Sequence, residues 1–271
     1  MTSEIKFSIR YTGGDAEHHK LDLYDAAASI HGLAKALAIT THALISEGEV
    51  RRKGDSIPNA KFYLHPPQKG SFVELVSVFF EEPAVQVVGT SVIGAAFWDM
   101  INFTWRHATG TTPEAQERIP KKIIEENETF IQEISDALEL PLQQLHRPIL
   151  HDPNVKIEIN RPRVGTIVEF NQDTLNYVYS SQENALTTNI LGNITKYNII
   201  SGYGRFYDNN LNRTIPFHLD NRMTTQQKGI LTRSLHFAGQ RGLGKILIDA
   251  KVIKDRTGSV KRYIIENARE V

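Results

Sequence analysis

The stretch from Gly192 to Leu219, GNITKYNIISGYGRFYDNNLNRTIPFHL, decides how this chain is read. Apolar and aromatic residues alternate with polar ones on both sides of Gly202-Tyr203-Gly204. An alternation of period two marks a strand with one buried face, and glycine supplies the backbone angles of a tight turn. The stretch reads as three strands, over 190–199, 203–208 and 213–219.

Downstream, Thr224-Thr225 opens a helical segment over 224–240, capped by a threonine hydroxyl. Strands over 244–253 and 260–266 then flank a turn at Asp255–Gly258. Three strands, a helix and two strands is the order of an OB-fold barrel, an architecture that hosts several functions.

Charge separates this part from the rest. The chain carries 31 Lys and Arg against 31 Asp and Glu, a net charge of zero. Residues 190–271 hold a net +8 and residues 1–189 a net −8. A basic module points to an anionic partner. Mutual neutralisation of the two parts is the other reading, and charge alone leaves both open.

The composition, 40% hydrophobic and 23% charged, is that of a globular protein. With no cysteine, disulfides, thiolate metal sites and a cysteine nucleophile are excluded, which fits a reducing cytoplasm. The N-terminal MTSEIKFSIRY lacks the basic and apolar regions of a signal peptide. The expected location is cytoplasmic.

Toward the N-terminus, residues 4–11 alternate as a strand and run into Gly13-Gly14. A helix is expected over 25–46 with Asp25 as its cap, then a hairpin of strands 60–65 and 71–80 around Pro66–Gly70. Residues 84–105 form the most hydrophobic run, long enough to approach a membrane span. Gln86, Asp99 and Asn102 would be costly in lipid, so a core or homo-oligomer helix is expected there, not a resident span, with a membrane-active effector that exposes 84–105 as the alternative. Residues 120–138 have helical periodicity, and His151–Asn154 is a turn cluster that marks a candidate boundary. Strands over 156–161 and 166–170 come next, then a polar linker over 180–189.

The expected fold class is α+β. Residues 1–155 form a small sheet with helices around the hydrophobic segment 84–105, and residues 156–271 form a β-rich domain with an OB-like barrel over 190–271.

No arrangement of residues points to catalysis, a metal or a cofactor. His18-His19 and the acids around it match no metal-site spacing and read as a solvated turn. Gly239–Gly244 comes after a helix, so it reads as a helix end and loop, not a dinucleotide loop.

The segment resembles the cold-shock branch of the OB folds, whose members carry V-K-W-F-N, K-G-F-G-F-I and V-F-V-H-F. The corresponding runs are Ile194–Asn198, Ser201–Phe206 and Ile215–Leu219. By that resemblance Tyr197, Tyr203, Phe217 and His218 are the base-stacking candidates. Lys196 and Arg205 replace aromatics of the family and become phosphate contacts, while Pro216 replaces a third. The implied partner is single-stranded RNA or DNA. Inward-pointing aromatics of a purely structural or protein-binding barrel would give the same residues. The whole chain is also similar to uncharacterised bacterial proteins associated with mobile islands and phage-related loci. They share Y-T-G-G-D-A-E-H-H, here Tyr11–His19, and Y-N-I-I-S-G-Y-G-R-F-Y-D, here Tyr197–Asp208.

Overall fold

A computed structural model describes residues 3–51, 57–65, 73–81, 84, 92–127, 129–238 and 244–271. The chain divides into two compact units, residues 1–178 and 179–271.

The first unit is a sheet with helices packed on one face. Its strands are β1 (Ser3–Thr12), β2 (Ala60–Leu64), β3 (Val73–Phe80), β4 (Lys156–Arg161) and β5 (Gly165–Phe170), in the order β2-β3-β1-β4-β5. Every neighbouring pair is antiparallel. Alternation in β1 sends Ile5, Phe7, Ile9 and Tyr11 into the core, while Lys6 and Arg10 face out.

The helices are α1 (Leu23–Ile45), α2 (Ile93–Ala108), α3 (Arg118–Glu126), α4 (Phe130–Leu145), α5 (Arg147–His151) and α6 (Gln172–Val178). Helix α2 supplies the aromatic centre. Trp98 packs edge-on to Phe7 with ring centroids 5.7 Å apart, and Phe97 packs on Phe80 at the same distance. Fully burying side chains of this size stabilises by roughly 2–3 kcal/mol each.

Several expectations change here. Strands β4 and β5 were expected to open the second domain. They complete the first sheet instead, with β4 paired to β1 from Ser8↔Asn160 to Thr12↔Lys156. The turn at His151–Asn154 is therefore internal to the first unit. Asp22, not Asp25, caps α1 by accepting from the Tyr24 and Asp25 amides. The periodic stretch 120–138 breaks at Asn127, and α4 then runs through Pro141, held by its buried face of Leu138, Leu142 and Leu145. Burial there outweighs the hydrogen bond that proline removes.

Of the hydrophobic run 84–105, residues 85–91 lie outside the described residues, and α2 begins at Ile93. Trp98 and Trp105 are buried within one chain. The buried Asp99 carboxylate accepts from the Gln116 and Glu117 amides at 2.8 and 2.7 Å, fixing the chain where it enters α3. Among the described residues no helix is long and apolar enough to cross a membrane.

The second unit is a closed five-stranded barrel of β6 (Ser180–Tyr197), β7 (Tyr203–Asp208), β8 (Arg213–Leu219), β9 (Ile246–Asp255) and β10 (Val260–Glu270). Its order is β10-β8-β7-β6-β9, closed by β9 on β10. All pairs are antiparallel except β8 with β10. Helix α7 (Thr225–Phe237) lies in sequence between the third and fourth strands, opened by a capping box of Thr224 and Gln227. This is an OB-like barrel.

The polar stretch 180–189 is not a linker. It is the first half of the 18-residue β6 and pairs with β9 from Ser180↔Asp255 onward. Main-chain pairing holds it, and the side chains of Leu186 to Asn189 are exposed. The run Gly239–Gly244 lies outside the described residues except for Gly244.

Candidate functional site on the barrel face

The barrel core fixes which way each residue of the quoted stretch faces. Phe206, Ile215 and Phe217 point inward with Ile194, Ile248 and Ile265. The residues between them point outward. Tyr203, Arg205 and Tyr207 therefore share the outer face of β7, and Pro216 and His218 the outer face of β8.

Register brings most of these together with Lys196 of β6. Tyr203 lies opposite His218, with ring centroids 5.6 Å apart and planes inclined by 45°. One step along, Lys196 of β6, Arg205 of β7 and Pro216 of β8 form a row. The result is an aromatic pair beside a cation pair. Two like charges directly opposed across strands repel. Partial burial pulls the Arg205 guanidinium below its ordinary pKa. Lys196 makes no ion pair among the described residues.

Two of the expected stacking residues are not on this face. Phe217 is 1% exposed and sits in the core opposite Gly204. A Cβ on Gly204 would lie 2.4 Å from the Phe217 ring and 2.3 Å from the Lys196 carbonyl, so glycine is what admits that ring. Tyr197 also turns toward the core, its ring 6.1 Å from that of Phe217. The cause is a bulge. Ile194 pairs with Phe206 but Lys196 with Arg205, leaving Thr195 as the extra residue. A bulge reverses the inside–outside parity of the residues beyond it on the same strand. Lys196 goes out and Tyr197 goes in. Burial raises the Tyr197 phenol, and its Oη has no hydrogen-bond partner among the described residues.

The face also includes residues not singled out from sequence. Tyr207, 37% exposed, continues the row of Tyr203 and Arg205. Alternate spacing alone would have found it. The turn between β6 and β7 carries Ile199 and Ile200, 65% and 98% exposed. Asn198 fixes that turn by accepting from the Ile200 and Ser201 amides at 2.9 and 3.2 Å. Gly202 closes it at φ +76°, a region that favours glycine.

The polar clusters of the first unit are structural. Ser77 Oγ donates to Glu4 at 3.1 Å and lies 2.6 Å from His65 Nε2. The hydroxyl proton is committed to the carboxylate and the side chain is fully buried, which does not make a nucleophile. The buried Asp25 ties α1 to α5 through Arg147 Nε at 3.2 Å and His151 Nδ1 at 2.5 Å. Among the described residues no three His, Asp or Glu are grouped so as to hold a metal. His18 and His19 lie at the end of a short 3-10 turn, both exposed.

Fold and site together define a chain with an α+β unit followed in sequence by an OB-like barrel. Residues 7–179 match the family model "Domain of unknown function (DUF7946)", and the chain belongs to that family. Residues 187–269 match "Family of unknown function (DUF7947)". Comparison with curated proteins and with solved structures returned no match.

Proposed function

We propose that the barrel binds single-stranded nucleic acid, without catalysis, through the outer face of β6, β7 and β8. The observation that carries this is the Tyr203–His218 pair beside the Lys196–Arg205 pair on one surface. The rings offer stacking platforms, and the two cations offer phosphate contacts to a strand that crosses the face. The strand 2–3 face is also where OB folds take oligonucleotides. In this reading the protein works in the cytoplasm, in phage defence or mobile-element biology, and self-association would add binding sites in tandem.

Fluorescence anisotropy with labelled single-stranded DNA and RNA tests the proposal. Wild type binds at low salt, and Tyr203→Ala weakens binding by about 1–3 kcal/mol. A wild type that binds neither oligonucleotide at low salt removes it.

A second reading has one observation behind it. The exposed Ile199–Ile200 tip, fixed by Asn198, suits contact with a protein. Ile200→Asp separates the two, because it abolishes a protein contact at the tip and leaves the stacking rings intact.

A further inference from the structure

In the first unit, β2 is an edge strand with β3 as its one neighbour. Two hydrogen bonds fix how its peptide groups point. His65 N donates to Leu75 O, and Glu81 N donates to Asn59 O, each at 2.8 Å. In an antiparallel ladder, residues bonded to the neighbour alternate with residues whose N–H and C=O face away. With Ala60 opposite Phe80 and Leu64 opposite Val76, Lys61 and Tyr63 bond inward to β3. Ala60, Phe62 and Leu64 face the open edge. Ala60 is bridged back to Ile57. Among the described residues no backbone partner meets the outward groups of Phe62 and Leu64.

A groove of about 780 Å³ runs beside this edge, with α1 as its other wall. Ala34 and Ala38 line the helix side and Phe62 the strand side, so small residues leave room for incoming side chains. Lys61 is tied to Glu81 at 2.8 Å, whereas Lys35, on the groove wall, makes no ion pair among the described residues. Exposed sheet edges are normally blunted. Here Tyr63 and Leu64 remain 49% and 54% exposed.

An open edge strand, a facing helix and a groove between them is the arrangement in which an extended peptide adds to a sheet. We propose that this groove binds an extended acidic peptide as a strand added to β2. The peptide main chain pairs with Phe62 and Leu64, and one carboxylate faces Lys35. The site is independent of the nucleic-acid face.

The probes are labelled peptides of about six residues, the length of a typical strand. One set alternates Val and Thr with a single Glu, and the matched set carries Lys in its place. The full chain binds the Glu set saturably and the Lys set several-fold more weakly. Leu64→Pro weakens binding about tenfold, since it deletes an outward donor and leaves the β2–β3 bonds in place. Lys35→Glu reverses the charge preference. Circular dichroism checks that Leu64→Pro is folded. Should it unfold, protection of the Phe62 and Leu64 amides from hydrogen exchange in the wild type gives the same readout. Absence of binding by both sets, or binding that leaves those amides unprotected, overturns the proposal. A dimer of the wild type that Leu64→Pro dissolves also overturns it, by giving the edge to a second copy.

Discussion

The two units treat the edges of their sheets in opposite ways. Among the described residues the barrel closes β9 on β10 and has no free edge. Its main chain is spent on itself, so recognition falls to side chains on the outer surface. The first sheet stays open at β2, where main-chain donors and acceptors remain. The difference teaches where to look for partners: side-chain chemistry on the closed sheet, backbone pairing on the open one.

The largest expected effect separates the inside of the barrel from its outside. Phe217→Ala empties a fully buried site and costs about 3–5 kcal/mol of barrel stability. Its neighbour His218→Ala, on the outer face, costs little stability and weakens nucleic-acid binding. Denaturant titration monitored by far-ultraviolet circular dichroism distinguishes them. Equal stability losses in the two variants would break the inside–outside assignment.

The first unit responds to acid through a buried histidine. His146 is fully buried, and burial holds its pKa at about 4, down from 6.5, against the opposing effect of its bond to the Leu142 carbonyl. That carbonyl can only accept, so Nδ1 carries the proton, and Nε2 accepts from Thr174 at 2.9 Å. The folded state resists protonation while the unfolded chain takes a proton near pH 6.5. Stability from this group is full above that pH and is lost as pH falls toward 4, on the order of 3 kcal/mol in all. Thermal melts between pH 7 and about 4 should show a shallower decline in His146→Gln than in the wild type. Parallel declines would remove the assignment.

The smallest effect concerns the residue that the bulge turns inward. Tyr197→Phe deletes a buried hydroxyl that has no partner among the described residues. The change should leave barrel stability unchanged or raise it by about 1 kcal/mol. Binding should hardly move, because the ring stays with Phe217. A large loss of affinity in Tyr197→Phe would return that hydroxyl to the site.

Much of the barrel was legible because its local signals agree. Alternation from Tyr203 to Asp208 and from Ile215 to Leu219, the G-Y-G turn and the Thr224 cap each gave the right element. The first half of β6 was not legible, since its residues are polar and its pairing with β9 is made by main chain that any sequence supplies. Strands β4 and β5 are plain as strands in the sequence, but their sheet is not. Local pattern says nothing of a partner as far away as β1. Within the site, Tyr203, His218, Lys196 and Arg205 are placed together by register. Tyr197 was misplaced because a single bulged residue, Thr195, changes parity along β6 without leaving a mark in the sequence. Phe217 points inward by the plain alternation of β8, and only the family resemblance had set it outward.

The most direct measurement is the salt dependence of oligonucleotide affinity for the wild type and for Lys196→Ala with Arg205→Ala. In the wild type the logarithm of affinity should fall linearly with the logarithm of salt concentration. Each phosphate contact removed should flatten that slope by about 0.7 for a single strand. Loss of both side chains is therefore expected to flatten it by about 1.4 while leaving the fold intact. An unchanged slope in the folded double variant would contradict the assignment of the barrel face as the nucleic-acid site.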